Sequence, residues 1–293
     1  MPSTRDIRRR IKSVKNTAQI TKAMQLVAAA KMKKAQDQAN QGRAYSELMN
    51  KILVALKESA EEGLHPFFTE GQGQKTLVVV ITTDKGLCGA LNTNLLKKIV
   101  LSDFGPEVEF VTIGRKGSQA LARLRKTLIA DFPIKDPAKF LELRSVGNYV
   151  QEKFLTGEYK KVLVAFNNFV NTVTLVPAVE QLLPVNPVTL GGKRDFDETS
   201  KEVDAATLPD YKFEPSAEQV FATVLPQYVN GTLYQMLLES RAAEHSSRMV
   251  AMKNATDNAK QMLKDLSLEY NKVRQAAITN ELLEITTAKM ALG

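Results

Sequence analysis

The sequence, 293 residues long, has no tryptophan, one cysteine and two histidines. A lone Cys88 forbids an internal disulfide and suits a reducing compartment. One cysteine and two histidines also leave too few ligands for a zinc site. No run of about 18 uncharged apolar residues occurs, so no membrane-spanning helix is expected. Met1-Pro2-Ser3 leads straight into charged periodic sequence, without the apolar stretch of a secretory signal. Neither phosphate-loop pattern, G-x-x-x-x-G-K-S/T or G-x-G-x-x-G, is found. Proline is missing between Pro2 and Pro66 and again after Pro226. Acid is missing too: across residues 1–34 ten Lys and Arg stand against Asp6 alone.

What is present reads as a globular protein, with 44% apolar and 25% charged residues. The net charge of +8 is uneven. Residues 1–62 carry +7, residues 63–226 are neutral and residues 227–293 carry +1. Such a basic arm is either a solvated helix face or a surface for an acidic partner, nucleic acid or protein.

The two proline-free spans predict long helices. In the first, an apolar or small stripe runs Ile7, Ile11, Val14, Ala18, Thr21, Met24, Ala28, Met32, Ala35, Ala39 in steps of three or four. Ser3 with Asp6 three residues on can cap its start. In the last, the stripe reads Ala259, Met262, Leu266, Tyr270, Val273, Ala277, then Leu282 and Ile285. Those 3-4-4 steps resemble an eleven-residue repeat and predict little left-handed supercoil. Helices this long with narrow stripes need partner helices. The economical arrangement pairs the two as a long antiparallel coiled coil; the lesser alternative lays each on the central domain.

The middle reads as α/β. Leu77–Thr82, Val108–Ile113 and Val162–Phe166 are apolar, β-branched runs, with a fourth strand expected at Thr172–Val176. Helical stretches are expected at Leu91–Leu101 and Ser118–Leu128, and a loop or hairpin region over Leu190–Ser216. The alternation predicts a Rossmann-like open, largely parallel sheet. The expected division is an N-terminal helix over 1–62, an α/β domain over 63–215 and a C-terminal helix over 216–293.

Candidate chemistry is thin. Thr82-Thr83-Asp84-Lys85-Gly86-Leu87-Cys88-Gly89 sits where a strand turns into a helix, the place of a phosphate loop, yet its glycines suit a tight turn better. Asp84 and Lys85 could act as acid and base, and Cys88 as a nucleophile if a base were positioned beside it. The scarcity of convergent catalytic residues favours a mechanical role.

The two arms carry a family signature. Asp6–Thr17, Ile20–Met24, Val27–Ala29 and Lys31-Met32 strongly resemble the start of the gamma subunit of F-type ATP synthase. Ser247–Ala259 and Tyr270–Glu284 resemble the C-terminal helix of that family, and Asp84–Gly89 matches as well. The chain departs from the family near its end, where Thr287-Ala288-Lys289-Met290 replaces a usual Gly-Ala pair; Ala and Lys favour helix more than Gly.

The resemblance implies a central rotary stalk with no catalytic residue, cofactor or metal of its own. Its two terminal helices would form a shaft inside a ring of alpha and beta subunits. The α/β domain would lie beside the epsilon subunit and the membrane c-ring, turning with proton flow. Lys22 and Met24 would meet an acidic loop of the catalytic subunit. Arg274 and Gln275 would latch an Asp-bearing loop at one rotary angle. Tyr211, Phe213 and Glu214 would lie near the c-ring. With no transit peptide, a bacterial chain on the cytoplasmic side of the plasma membrane is expected. Two rival readings remain at this stage, a basic coiled coil that binds nucleic acid and a small-molecule enzyme built on the α/β domain.

Overall fold

The computed structural model describes residues 3–59, 65–185 and 213–291. They form α1 (Thr4–Ser59), a short 3-10 turn (Pro66–Phe68), β1 (Lys75–Ile81), α2 (Leu91–Leu101), β2 (Val108–Ile113), α3 (Arg115–Arg123), β3 (Thr127–Phe132), α4 (Phe140–Leu155), β4 (Tyr159–Phe169), β5 (Leu175–Leu183) and α5 (Ala217–Ala291). The chain divides into two compact units, residues 1–29 with 248–293, and residues 30–247.

In the first unit the ends of α1 and α5 pair antiparallel. Thr21 and Thr256 share a buried hydroxyl–hydroxyl hydrogen bond of 2.7 Å, and Arg8 donates to Tyr270 at 2.6 Å. Ser3 and Asp6 cap α1 as the sequence predicts, with the Ser3 hydroxyl 2.7 Å from the Asp6 carboxylate. On α1 the predicted stripe is the one covered: Ile7, Thr21 and Ala28 are buried, and Ile11, Val14, Ala18 and Met24 are half-buried. On α5 the expectation is corrected at one position. Met262 is 52% exposed, and Leu263 takes the inner place. The covered residues therefore run Ala259, Leu263, Leu266, Tyr270, Val273, Ala277, alternating steps of four and three. That is a heptad pattern, whose 3.5-residue period drives a left-handed supercoil, rather than an eleven-residue one.

From Ile278 to Met290 every residue of α5 is exposed, Leu282, Leu283 and Ile285 included. Arg8 already lies beside Tyr270, so α1 ends before it can cover this stretch. Thirteen residues at about 1.5 Å each leave roughly 20 Å of bare helix.

The second unit is a five-stranded sheet in the order β3-β2-β1-β4-β5. The first four strands are parallel, and β5 runs antiparallel to β4. Val78 and Val80 face a layer containing Leu95 and Ile99 of α2. Leu77, Val79 and Ile81 face a larger core with Leu53 and Leu56 of α1, Val146 and Val150 of α4, and Leu225, Leu233 and Leu237 of α5. Both faces of β1 are thus covered, which is why it reads as an unbroken apolar run.

Two elements differ from expectation. The helix expected over Ser118–Leu128 stops at Arg123, and Thr127–Phe132 forms β3. Arg125 has φ 53°, a left-handed conformation that ends the helix and turns the chain into an edge strand. The fourth expected strand begins later, at Leu175, because Asn171–Thr174 make the hairpin turn, with the Asn171 side chain accepting from the backbone of Val173 and Thr174. The region expected as a loop over Leu190–Ser216 lies mostly outside the described residues.

Candidate functional site

In an open parallel sheet, ligands bind at the carboxyl ends of the strands where the strand order reverses. Here that point lies between β1 and β4. The loop leaving β1 is folded on itself. Asn92 donates to the Thr83 hydroxyl at 2.8 Å, and its carbonyl accepts from the Thr83 backbone at 3.3 Å. Asp84 caps α3 by accepting from the Arg115 backbone at 3.1 Å. Gly117 approaches so closely that a Cβ there would lie 2.7 Å from the Thr82 hydroxyl, which instead accepts from the Gly117 backbone at 2.8 Å. Cys88 is buried beside Thr83 and Asn92, neither of which is a general base. The geometry fills this crevice with the chain's own groups and gives Asp84 a capping role.

The other wall is α5. Ser247 donates to the Cys88 carbonyl at 2.6 Å, Arg241 lies 3.7 Å from the Asp84 carboxylate, and Ala243 packs with Cys88 and Leu91. All of α5 from Gln235 to Ser246 is buried, on every face. A helix buried all round is normally apolar. This one contains Gln235, Glu239, Ser240, Arg241, Glu244, His245 and Ser246.

Each polar group needs a partner there, since an unmade bond costs about 1–3 kcal/mol. Gln235 donates to Glu239 at 3.0 Å. The Arg241 guanidinium donates to Glu244 at 2.8 Å and to the Ile134 carbonyl at 2.8 Å. Ser246 donates to the Thr172 carbonyl at 2.9 Å. His245 Nε2 lies 3.3 Å from Asp136, whose carboxylate also takes Lys31 of α1 at 2.7 Å. The nearby His245 imidazole, followed by the Lys31 ammonium, holds the Asp136 carboxyl well below the usual carboxylate range. Below this belt, Gln151 of α4 reaches Asn230 at 2.8 Å and the Pro226 carbonyl at 3.2 Å.

Three surfaces therefore hold α5 by directional bonds: the β1–α2 loop, the β3–α4 loop and the β4–β5 hairpin. Of these residues sequence reasoning singled out Asp84 and Cys88, as candidate chemistry, and not the polar belt of α5 that they meet. The signal available was Arg241 with Glu244 one helical turn on, which reads equally well as an exposed pair.

The residues predicted as contacts fall elsewhere. Lys22 is exposed, with its ammonium 3.3 Å from Gln25, and Met24 is half-buried on the stripe. Arg274 and Gln275 are exposed, on the outer face of the helix pair. In the antiparallel register set by Thr21–Thr256 and Arg8–Tyr270, Met24 lies level with Lys253, and Arg274 level with Thr4. The two predicted contacts are thus about 30 Å apart along the pair. Phe213 packs half-buried against the core of the second unit, Glu214 is exposed, and Tyr211 lies outside the described residues.

No described helix is long and apolar enough to cross a membrane. A family model described as ATP synthase matches residues 3–292. Among curated proteins, the ATP synthase gamma chain of Methylacidiphilum infernorum is 46% identical over the full length of both chains. That of Akkermansia muciniphila is 47% identical, again over the full length of both. Among solved structures, a chain of the Tetrahymena thermophila mitochondrial ATP synthase central stalk and c-ring is 27% identical, covering 80% of this chain and 99% of that one, with a TM-score of 0.61. A chain of the Euglena gracilis mitochondrial enzyme, 19% identical, shares the fold, with coverage of 99% and 94% and a TM-score of 0.67.

Proposed function

Because the chain belongs to the ATP synthase gamma-chain family, we propose that it is the central rotary stalk of a bacterial F-type ATP synthase. It is a non-catalytic subunit. On this reading residues 1–62 and 216–293 supply the shaft, and residues 63–215 the foot. Proton flow through the c-ring turns the foot, and the shaft drives the catalytic sites of the alpha–beta ring through their successive conformations. The subunit then sits peripherally on the cytoplasmic side of the plasma membrane, with the epsilon subunit beside the foot.

The observation that best supports this is the contrast along α5. Residues 235–246 are buried on all sides, while residues 278–290 are bare and carry Ile278, Leu282, Leu283 and Ile285. Exposed apolar residues clustered on one helix end suit an apolar sleeve supplied by other subunits. The basic face of α1, with Arg9, Arg10, Lys12 and Lys15 exposed, suits acidic loops around it. Within this frame Lys22 and Met24 meet the catalytic subunit's acidic loop, Arg274 and Gln275 form a releasable latch, and Tyr211, Phe213 and Glu214 face the c-ring. The relatives support this reading and lend nothing to the nucleic-acid alternative.

The test is to purify the tagged chain from native membranes and follow a bead fixed to the foot. ATP-driven, one-way rotation with co-purified nucleotide-hydrolysing subunits is expected. A chain isolated without ATPase activity, or bound to DNA in a strongly salt-dependent manner, would overturn it.

A further inference from the structure

The 3-10 turn Pro66–Phe68 hangs on one side-chain bond. Pro66 has no N–H to offer, and the Phe68 N–H donates to the His65 carbonyl at 3.1 Å. The remaining donor inside the turn is the Phe67 N–H, on a residue only 2% exposed. Its acceptor is Nδ1 of the His65 ring, at 3.2 Å. His65 thus caps the turn as Ser, Asp or Asn usually do. It differs in one respect, because its acceptor can be switched off. A neutral imidazole offers one bare ring nitrogen, whereas an imidazolium carries N–H on both. Protonated, His65 would point a donor at the Phe67 N–H and leave that buried group unmet.

Three elements meet at this turn. Phe67 enters the larger core with its ring 6.2 Å from Phe154 of α4, and its carbonyl accepts from Val185, just past β5, at 2.6 Å. Phe68 stacks on Phe221 of α5 at 5.1 Å. The His65 ring packs edge-on to Phe67, with 4.8 Å between centroids. Burial disfavours its charged form and holds it below its ordinary value. No charged side chain of α4, α5 or β5 among the described residues contributes to that shift. Glu70, beyond the turn, pairs with Lys160 of β4 at 3.1 Å, and Lys153 of α4 lies over the Tyr149 ring.

We propose that His65 is a pH-sensitive clip: neutral, it ties the α1–β1 connection to α5 and to the end of β5, and on protonation it releases the turn. The proposal concerns the second unit alone and is independent of the rotary reading. Because the folded value lies below the unfolded one, the clip holds fully above about 6.5 and is lost as pH falls through the folded value.

The test uses the full-length chain with ¹⁵N-labelled histidine, of which there are two. At about pH 7.5, Nδ1 of His65 should give the chemical shift of a bare nitrogen, and His65→Asn assigns the signal by removing it. Hydrogen exchange is then read by mass spectrometry and corrected for intrinsic rates. Between about pH 7.5 and 5.5, peptides over residues 65–69 and 183–186 should lose up to about tenfold of their protection, the limit set by an unfolded value near 6.5. A peptide over α2 should lose none. His65→Asn supplies an oxygen acceptor that does not titrate, so it should keep the protection and remove its pH dependence. If that variant is already open at pH 7.5, the wild-type nitrogen shift and exchange profile decide. An equal loss in wild type and His65→Asn, a protonated Nδ1 at neutral pH, or wild-type protection that does not change would overturn the proposal.

Discussion

Gly147 offers a direct test of how tightly α5 is held. It faces Asn230, and a Cβ added at Gly147 would lie 1.8 Å from the Asn230 side-chain oxygen. Ordinary contact needs at least about 3.4 Å, so in Gly147→Ala the Asn230 side chain must shift by roughly 1.5 Å. Its bond from Gln151, 2.8 Å long, cannot survive that shift. Overpacking costs ~1–3 kcal/mol and a lost buried hydrogen bond ~1–3 kcal/mol. The gain in helix propensity returns about 1 kcal/mol. The net expectation is a loss of about 1–5 kcal/mol. Without tryptophan, urea unfolding of the full-length chain is best followed by circular dichroism at the helix band. Removing the obstructing group in Gly147→Ala/Asn230→Ala should recover at least about 1 kcal/mol relative to the sum of the single changes. A stability within about 0.5 kcal/mol of wild type for Gly147→Ala, or strict additivity in the double variant, would refute this reading of the α4–α5 contact.

Other expectations concern the contacts and the belt. Met24→Lys should lower protons pumped per ATP hydrolysed more than it lowers assembly, because the new cation would pair with an acidic loop and resist release; unchanged pumping would refute it. Arg274→Ala should reduce ATP turnover while leaving the helix pair folded, since a partly wet ion pair of about 1 kcal/mol can form and release; wild-type turnover in an assembled complex rules out a latch. Cysteine at Tyr211 should cross-link to the c-ring under oxidation, and links only to the catalytic ring would mean the orientation is inverted. Asp136 is held below its ordinary value. Its stabilising contribution is therefore present above the unfolded carboxyl value near ~3.9 and is lost as pH falls through the lower folded value. Asp136→Asn should cost about 1–2 kcal/mol at neutral pH and flatten the acid limb of the stability curve, and parallel acid limbs would count against the pairing.

The parts of this architecture carried by local pattern were readable in the sequence. α2 occupies Leu91–Leu101 as expected, and the α1 stripe matches residue by residue, because periodic burial is written into adjacent turns. Met262 and Leu263 are both apolar and adjacent, so only the partner helix decides which turns inward. β3 was missed because Thr127–Phe132 follows a helix without proline or glycine to mark the change. The polar belt of α5 was hidden for a deeper reason. Arg241, His245 and Ser246 look like a solvated face, and their partners Asp84, Ile134, Asp136 and Thr172 lie 70 to 160 positions away. No local rule reaches that far.

The belt also bears on how a shaft is turned. Apolar contact is nearly indifferent to direction, so a greasy helix in a greasy socket can slip about its own axis at little cost. Hydrogen bonds weaken steeply once their angles are lost. Arg241 on Ile134, Ser246 on Thr172 and Ser247 on Cys88 engage α5 from different loops. They act as the splines of a keyed joint. Turning the helix within its socket would strain all of them at once, so the azimuth of α5 is locked to the sheet.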